Sequence, residues 1–274
     1  MTQQLHFDSP SFTKRLKSML GVDFYRLFHT PMFYIFLTVS ALISAMVLGM
    51  TSMPSPDGTV TAPLYTNTWQ IVAAQTPLYV VNTIADYANM NMVFIFGGIM
   101  VSIFIGHDYK SGYVKQLFTT HAKKQDYMIS KAIVGAFSMA CMCLTYLLGG
   151  VVAGLLTNMS FQVNVMGLVC AILGKLLMSL GWASLYTFLN IIFRKYFGIS
   201  IFSSFFFGTG ILIIGAAAIL GNNGILNIFL YGSSVYACLS STPLTVLVCL
   251  VCSLAWTVIY TLAGTKVLNS CDVY

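Results

Sequence analysis

The residues that could do chemistry are concentrated in one stretch. Residues 107–131 hold five Lys, two Asp and two His within 25 positions. Such a density of ionisable groups suits either acid–base work or the recognition of another molecule through charge. Catalysis is the weaker reading. The four histidines are His6, His29, His107 and His121, and the apolar runs carry no carboxylate to partner any of them. No HExxH occurs, and no two acids sit close together within an apolar run. Gly174-Lys175 is the one Gly-Lys pair, but Leu176 follows it and the upstream glycine of a phosphate loop is missing. The chain therefore offers ATP no site of that kind. Cys249 and Cys252 have CxxC spacing inside the run TVLVCLVCSLAW, with no His or acid nearby. A reduced, packed pair in a helix outweighs a metal site there. We assign no catalytic residue and no metal.

What remains for residues 107–131 is recognition. Val114, Leu117 and Phe118 are interspersed among the charges. A solvated basic loop has no need of an apolar side, whereas an amphipathic helix lying across a membrane face does. Leu117 and Phe118 are then available to dock on a partner, with Asp108, Lys115, Lys123 and Lys124 to orient the helix. The plain alternative is a basic loop that merely obeys the charge rule for membrane proteins.

That rule organises the rest of the chain. Charged residues make up 7% and apolar residues 58%, with a mean hydropathy of +0.84. A soluble domain carries about 25% charged residues, so the main solvent expected here is lipid. Twelve of the thirteen Lys and Arg fall in four clusters: Lys14 to Arg26, Lys110 to Lys131, Arg194-Lys195, and Lys266. Basic residues are retained on the cytoplasmic side of a membrane, and six spans put all four clusters there. The net charge of +6 thus points to lipid headgroups rather than nucleic acid. The first thirty residues are polar, and no cleavable signal peptide is expected.

The expected fold is all-α: a single polytopic membrane domain over 1–274, with six transmembrane helices and both termini in the cytoplasm. Residues 11–29 read as an amphipathic helix, with Phe12, Leu16, Met19, Leu20, Phe24, Leu27 and Phe28 at helical spacing. It is expected in the interface, ending at Pro31, although a soluble helix packed on a partner has the same pattern. The spans are placed at about 32–53, 87–106, 129–156, 165–193, 199–220 and 244–263. Residues 107–126 form the cytoplasmic loop. Residues 221–243 are too broken by Gly, Asn and Pro for a span, and suggest short outer helices or a re-entrant dip. Gly150 and Gly154 make a GxxxG, and with Gly97-Gly98 they are expected to pack helices closely. Ser102, Asn190 and Ser204 are expected to join helices.

Lys175 is the one basic residue inside an apolar run. It lies 19 residues before Arg194, hence about 28 Å away along a helix, near the opposite surface. Snorkelling explains it. The sharper reading is an outer gate, with Asp86 at the outer end of the second span as the other charge at that level.

The spacing in residues 107–131 resembles the signature region of ABC transporter permeases of the six-span type-2 exporter class. Asp108, Gly112, Lys115, Leu117-Phe118, Lys124 and Lys131 fall at matching intervals. His121 stands where Pro is usual, Lys124 where Arg is usual and Asp108 where Glu is usual. The amphipathic start, the large first outer loop and the broken segment before the last span also match. The resemblance implies a permease subunit that pairs with an identical or related second permease and with cytoplasmic ABC ATPase subunits. Those ATPases would bind ATP and Mg, leaving this chain without a cofactor. Residues 107–126 would be the coupling loop, seated in an ATPase groove through Asp108, Gly112, Lys115, Leu117, Phe118, Lys123 and Lys124. The implied setting is a bacterial plasma (inner) membrane. The implied cargo is hydrophobic or amphipathic, an antimicrobial peptide or a drug-like molecule, as for bacitracin-resistance, lantibiotic-immunity and multidrug permeases. A non-transporting scaffold or sensor, or a channel independent of ATP, would account for the same spans.

Overall fold

A chain this poor in charge has to satisfy its backbone hydrogen bonds within each segment wherever lipid replaces water, and the α-helix does so locally. The computed structural model describes residues 11–51, 68–69, 84–119, 122–162, 165–212, 228–239 and 242–270, apart from the side chains of 47–51, 84–91 and 235–239. Among these residues it is all-helical. The helices are α1 (Phe12–Phe28), α2 (Pro31–Thr51), α3 (Ile84–Lys110), α4 (Tyr113–Thr119), α5 (Lys124–Leu156), α6 (Val165–Ile192), α7 (Phe197–Gly208), α8 (Leu230–Leu239) and α9 (Pro243–Ser270).

Four of them are long and apolar enough to cross a membrane: α3 from Met92, α5, α6 and α9. The pair α1–α2 makes a fifth if counted as one unit, bent by 66° at the break between them. That break has a local cause. The His29 N–H still reaches back to the Tyr25 carbonyl, while Pro31 opens the next helix at the position where a missing N–H costs nothing.

Helix α6 is the centre of the bundle. It packs most extensively on α9, and also on α5, α3, α8 and α7. Its Met178, Trp182, Tyr186 and Leu189 meet Phe94, Val101 and Ile105 of α3, Met139 of α5 and Cys249 of α9 in the main core. The α3 glycines allow this approach: a Cβ at Gly98 would meet the Tyr186 ring, and one at Gly97 would meet Met139. Between α3, α6 and α7 runs a buried polar chain. Asn190 donates to Ser102 Oγ at 2.9 Å, Ser102 and Ser204 share a 2.7 Å bond, and Ser200 donates to Asn190. Ser102, Asn190 and Ser204 do join helices, and each polar atom finds its partner where water is absent.

Several boundaries differ from the sequence reading. The third span was expected from residue 129, but α5 begins at Lys124 with Asp126 in its first turn, where a carboxylate complements the helix dipole. The last helix runs on to Ser270, beyond the expected 263, because Gly264 and Leu268 are buried and hold its final turns on the bundle. The expected fifth span, 199–220, is represented by α7 and a break at Thr209–Gly210, with 213–220 outside the described residues. In the broken segment 221–243, residues 221–227 are also outside the description. Its helix α8 packs into the body of the bundle, donating nothing to solvent at Ser234, whose Oγ accepts from Trp182 Nε1 at 2.9 Å.

Helix α2 leans on α5 at Gly149, where a Cβ would collide with the Ala41 carbonyl oxygen and Ser44. Gly150 is buried and a Cβ at Gly154 would meet Thr68, while the tightest approach among the described α5 glycines is at Gly149, just before the GxxxG. Gly149→Leu is expected to lower the thermal midpoint of the detergent-solubilised chain, a loss of about 1–3 kcal/mol. The neighbouring exposed Leu148→Ala should stay within about 0.5 kcal/mol of the parent. Equal midpoints for the two variants would remove Gly149 from the interface.

Candidate functional site

The four basic clusters of the sequence converge on one end of the bundle. There Met19 of α1, Val114 of α4, Tyr127 and Met128 of α5, Ile191 of α6 and Leu268 of α9 form a single apolar cluster. It gathers the start of α5, the last turns of α6 and α9, and the two helices expected to lie across a membrane face.

Beneath this cluster lies the densest group of charges in the described chain. Met19, Asp23 and Leu27 are four residues apart on α1, hence on one face, and all three are buried. The Asp23 carboxylate accepts from Ser130 Oγ at 2.7 Å and from Lys131 Nζ at 2.6 Å. Lys131 also bridges to Asp108 at 2.6 Å. Asp108 in turn accepts from Arg26 Nη2 at 2.5 Å and from the Tyr127 hydroxyl at 3.2 Å. Arg26 closes the ring, with Nη1 3.9 Å from Asp23. Two carboxylates and two cations thus cancel in charge. The side chains of Asp108 and Lys131 are wholly buried, Asp23 is 1% exposed and Arg26 23%.

Rings surround the cations. The Phe104 centroid lies 4.4 Å from Lys131 Nζ, and the Tyr113 centroid 4.3 Å from Arg26 Cζ. Burial, reinforced by the nearby Asp23 carboxylate, raises the Tyr113 phenol above its ordinary value, and Arg26 works against that. The phenol stays neutral beside the quartet at any physiological pH. A second bridge, Arg15 to Asp126 at 2.8 Å, ties α1 to the first turn of α5. Each buried ion loses several kcal/mol of hydration, so the quartet is tolerable only because every charge has a partner.

Gly112 turns the chain from α3 into α4. Its φ of 75° is in the left-handed region, where a Cβ is penalised by roughly 1–2 kcal/mol. Asp108 therefore sits one turn before a fixed corner from which α4 departs. Val114 anchors α4 in the apolar cluster. Leu117 and Phe118, expected to dock outward, are half-buried against the same cluster, with Phe118 edge-on to Tyr127 at 5.7 Å between ring centroids. Lys124, expected to face a partner, donates to the Leu268 carbonyl at 2.5 Å and caps the last turn of α9. The residues that α4 and its exit turn present outward are Lys115, Gln116, Thr119 and Lys123.

The other sequence-nominated residues do not join this site. Lys175 is half-buried on α6, 5.8 Å from the Tyr146 ring centroid on α5. Asp86 lies in the first turn of α3, and its side chain is outside the described residues, as is all of His121. Asp23, Tyr127 and Ser130 were not nominated. One signal for Asp23 was available: an acid in register with Met19 and Leu27 on the apolar stripe of an amphipathic helix.

Comparison with protein-family models returns no match to this chain, and a search of curated proteins returns none either.

The chemistry of the site is mechanical. It joins three helices, α1, α3 and α5, through bonds that do not stretch far before an ion is left bare. Lys131→Met, which leaves Asp23 without its principal cation, is expected to cost about 3–5 kcal/mol in thermal unfolding. Adding Asp23→Asn leaves the Asp108–Arg26 pair balanced and should recover most of the loss. If the double variant is as unstable as the sum of the two single variants, the ion pairing is not what holds α1.

Proposed function

We propose that this chain is the membrane-spanning permease subunit of an ATP-driven ABC exporter of the six-span type-2 class. The observation that carries this reading is the mounting of α4. A short helix with a polar outer face is built rigidly onto the ends of the apolar helices by a Gly112 corner, the Val114 anchor and the buried quartet around Asp108.

In this reading α4 is the coupling helix, and the basic end of the bundle faces the cytoplasm. Six spans follow if α2 and the segment containing α7 each cross the bilayer, with α1 in the inner interface and both termini inside. A cytoplasmic ATPase subunit binds ATP and Mg and seats Lys115, Gln116, Thr119 and Lys123 in its groove. Leu117 and Phe118 act one step inward, passing the displacement to Tyr127 and the start of α5. Asp108 passes it to α1 through Arg26 and to α5 through Lys131. Closure of the ATPase dimer then moves the inner ends of α3, α5, α6 and α9 together, because they share one apolar cluster. A second permease subunit, identical or related, completes the pathway in a bacterial plasma membrane. The cargo is hydrophobic or amphipathic.

The revised position of Phe118 changes the informative substitution. Phe118→Asp would strip packing from Tyr127 as well as any docking contact, whereas Lys123→Glu reverses an exposed charge. Gentle purification from the native membrane is expected to bring a stoichiometric ATPase with the parent chain and to recover at least about tenfold less of it with Lys123→Glu, whose thermal midpoint should match the parent's within about 0.5 kcal/mol. Purification of the chain alone, or with a partner lacking an ATP site, would replace this reading by a scaffold or an ATP-independent channel.

A further inference from the structure

A cavity of about 350 Å³ opens on the side of the bundle between α6, α7, α8 and α9, well away from the ionic quartet. Trp182, Leu185 and Tyr231 form its buried floor, while Phe207, Leu212 and Phe229 stand at its exposed mouth. Trp256 and Tyr260 make one wall. No Asp, Glu, Lys, Arg or His is among its described lining residues.

The polar atoms of its two indoles are already engaged. Trp182 Nε1 donates to Ser234 Oγ at 2.9 Å, and Trp256 Nε1 donates to the Ile228 carbonyl at 2.7 Å. Neither indole N–H is left to direct a guest, and the remaining side-chain polar groups among the described lining residues are the hydroxyls of Tyr231 and Tyr260. Trp182 stacks with both Phe94 and Tyr186, at 5.7 and 5.6 Å between centroids. Trp256 stacks with both Phe229 and Tyr260, at 6.0 and 5.3 Å. Each indole thus lies within a run of three stacked rings, and Phe229, Tyr231 and Tyr260 add further rings to the lining.

With no carboxylate among the described lining residues to replace its hydration, a lipophilic cation is mismatched to the cavity, whereas a neutral aromatic guest can pack against these rings by offset stacking or edge-to-face contact. Its volume is at the small end of ligand pockets and accommodates roughly 20 non-hydrogen atoms at protein packing density. A membrane-active peptide does not fit. An open mouth on the flank of the bundle suits entry from the membrane itself.

We propose that this cavity binds neutral, planar aromatic molecules of drug-like size that reach it through the lipid. The inference deepens the exporter reading by naming the cargo class, and its role in transport rests on that reading. Binding to the cavity does not, so the two fail separately.

The test is photolabelling of the full chain, without any ATPase, reconstituted in nanodiscs of uncharged phospholipid. The probe is 1-azidopyrene, and labelled sites are mapped by peptide mass spectrometry. Labelling is expected to saturate and to map around Phe207, Phe229 and Trp256. Unlabelled pyrene should compete at least about tenfold better than the tetraphenylphosphonium cation. Leu212→Trp, which fills the mouth, should abolish the saturable component. Phe207→Ala, which opens the mouth without adding bulk, serves if the tryptophan variant does not purify as a single species, and should weaken pyrene competition. The proposal is overturned if labelling fails to saturate and spreads over the exposed α9 face at Leu247, Val251 and Leu254. It is equally overturned if tetraphenylphosphonium competes as well as pyrene, or if the purified variants label like the parent.

Discussion

The arrangement of this protein turns on four charges, three of them buried and the fourth partly so, at one end of a helical bundle. Lys131 is held between Asp23 and Asp108, and Asp108 is held between Lys131 and Arg26. In a low-dielectric setting none of the four can leave its partners without exposing a bare ion. Three helices that are far apart in sequence are thereby held in one register. The apolar packing around the quartet is compatible with many small adjustments, because dispersion contacts are weak and numerous. The ionic contacts are few and directional, so they select among those adjustments.

This explains why the short helix α4 can be rigid despite its seven residues. An isolated helix of that length is unstable in water. Here its start is set by Gly112, its inner face is held by Val114, Leu117 and Phe118, and its base is tied to Asp108. The outer face is left polar and exposed. A load applied to that face reaches α1, α3 and α5 together, which is the property required of a coupling element. The opposite flank is built on another principle. The described lining of the α6–α9 cavity has no ionic group, and the indole N–H groups of its stacked rings bond elsewhere. Charge organises the α4 end of the bundle, and aromatic packing organises the α6–α9 flank.

The residues of the stretch 107–131 were legible as a unit because their charge density stands out in a chain with so few charges. Their individual directions were not. Leu117 and Phe118 look like docking residues in a polar loop, yet the apolar ends of α5, α6 and α9 lie close enough to take them. Lys124 looks like a surface cation, yet the unpaired carbonyls ending α9 lie within its reach. Such choices depend on other elements, in the case of Lys124 one that is 144 residues away, and local periodicity carries no information about them.

The amino-acid sequence by itself determined the class of the molecule. Low charge and long apolar runs require helices, and the grouping of Lys and Arg requires that their flanking segments meet at one end. These follow from composition and period, which act residue by residue. Only the tertiary structure decided which charges pair, which face of α4 remains outward and where the aromatic rings leave a cavity. Those outcomes depend on the distances between helices, and in a chain whose apolar faces are chemically alike, close approach at glycines and the pairing of a few buried ions set those distances.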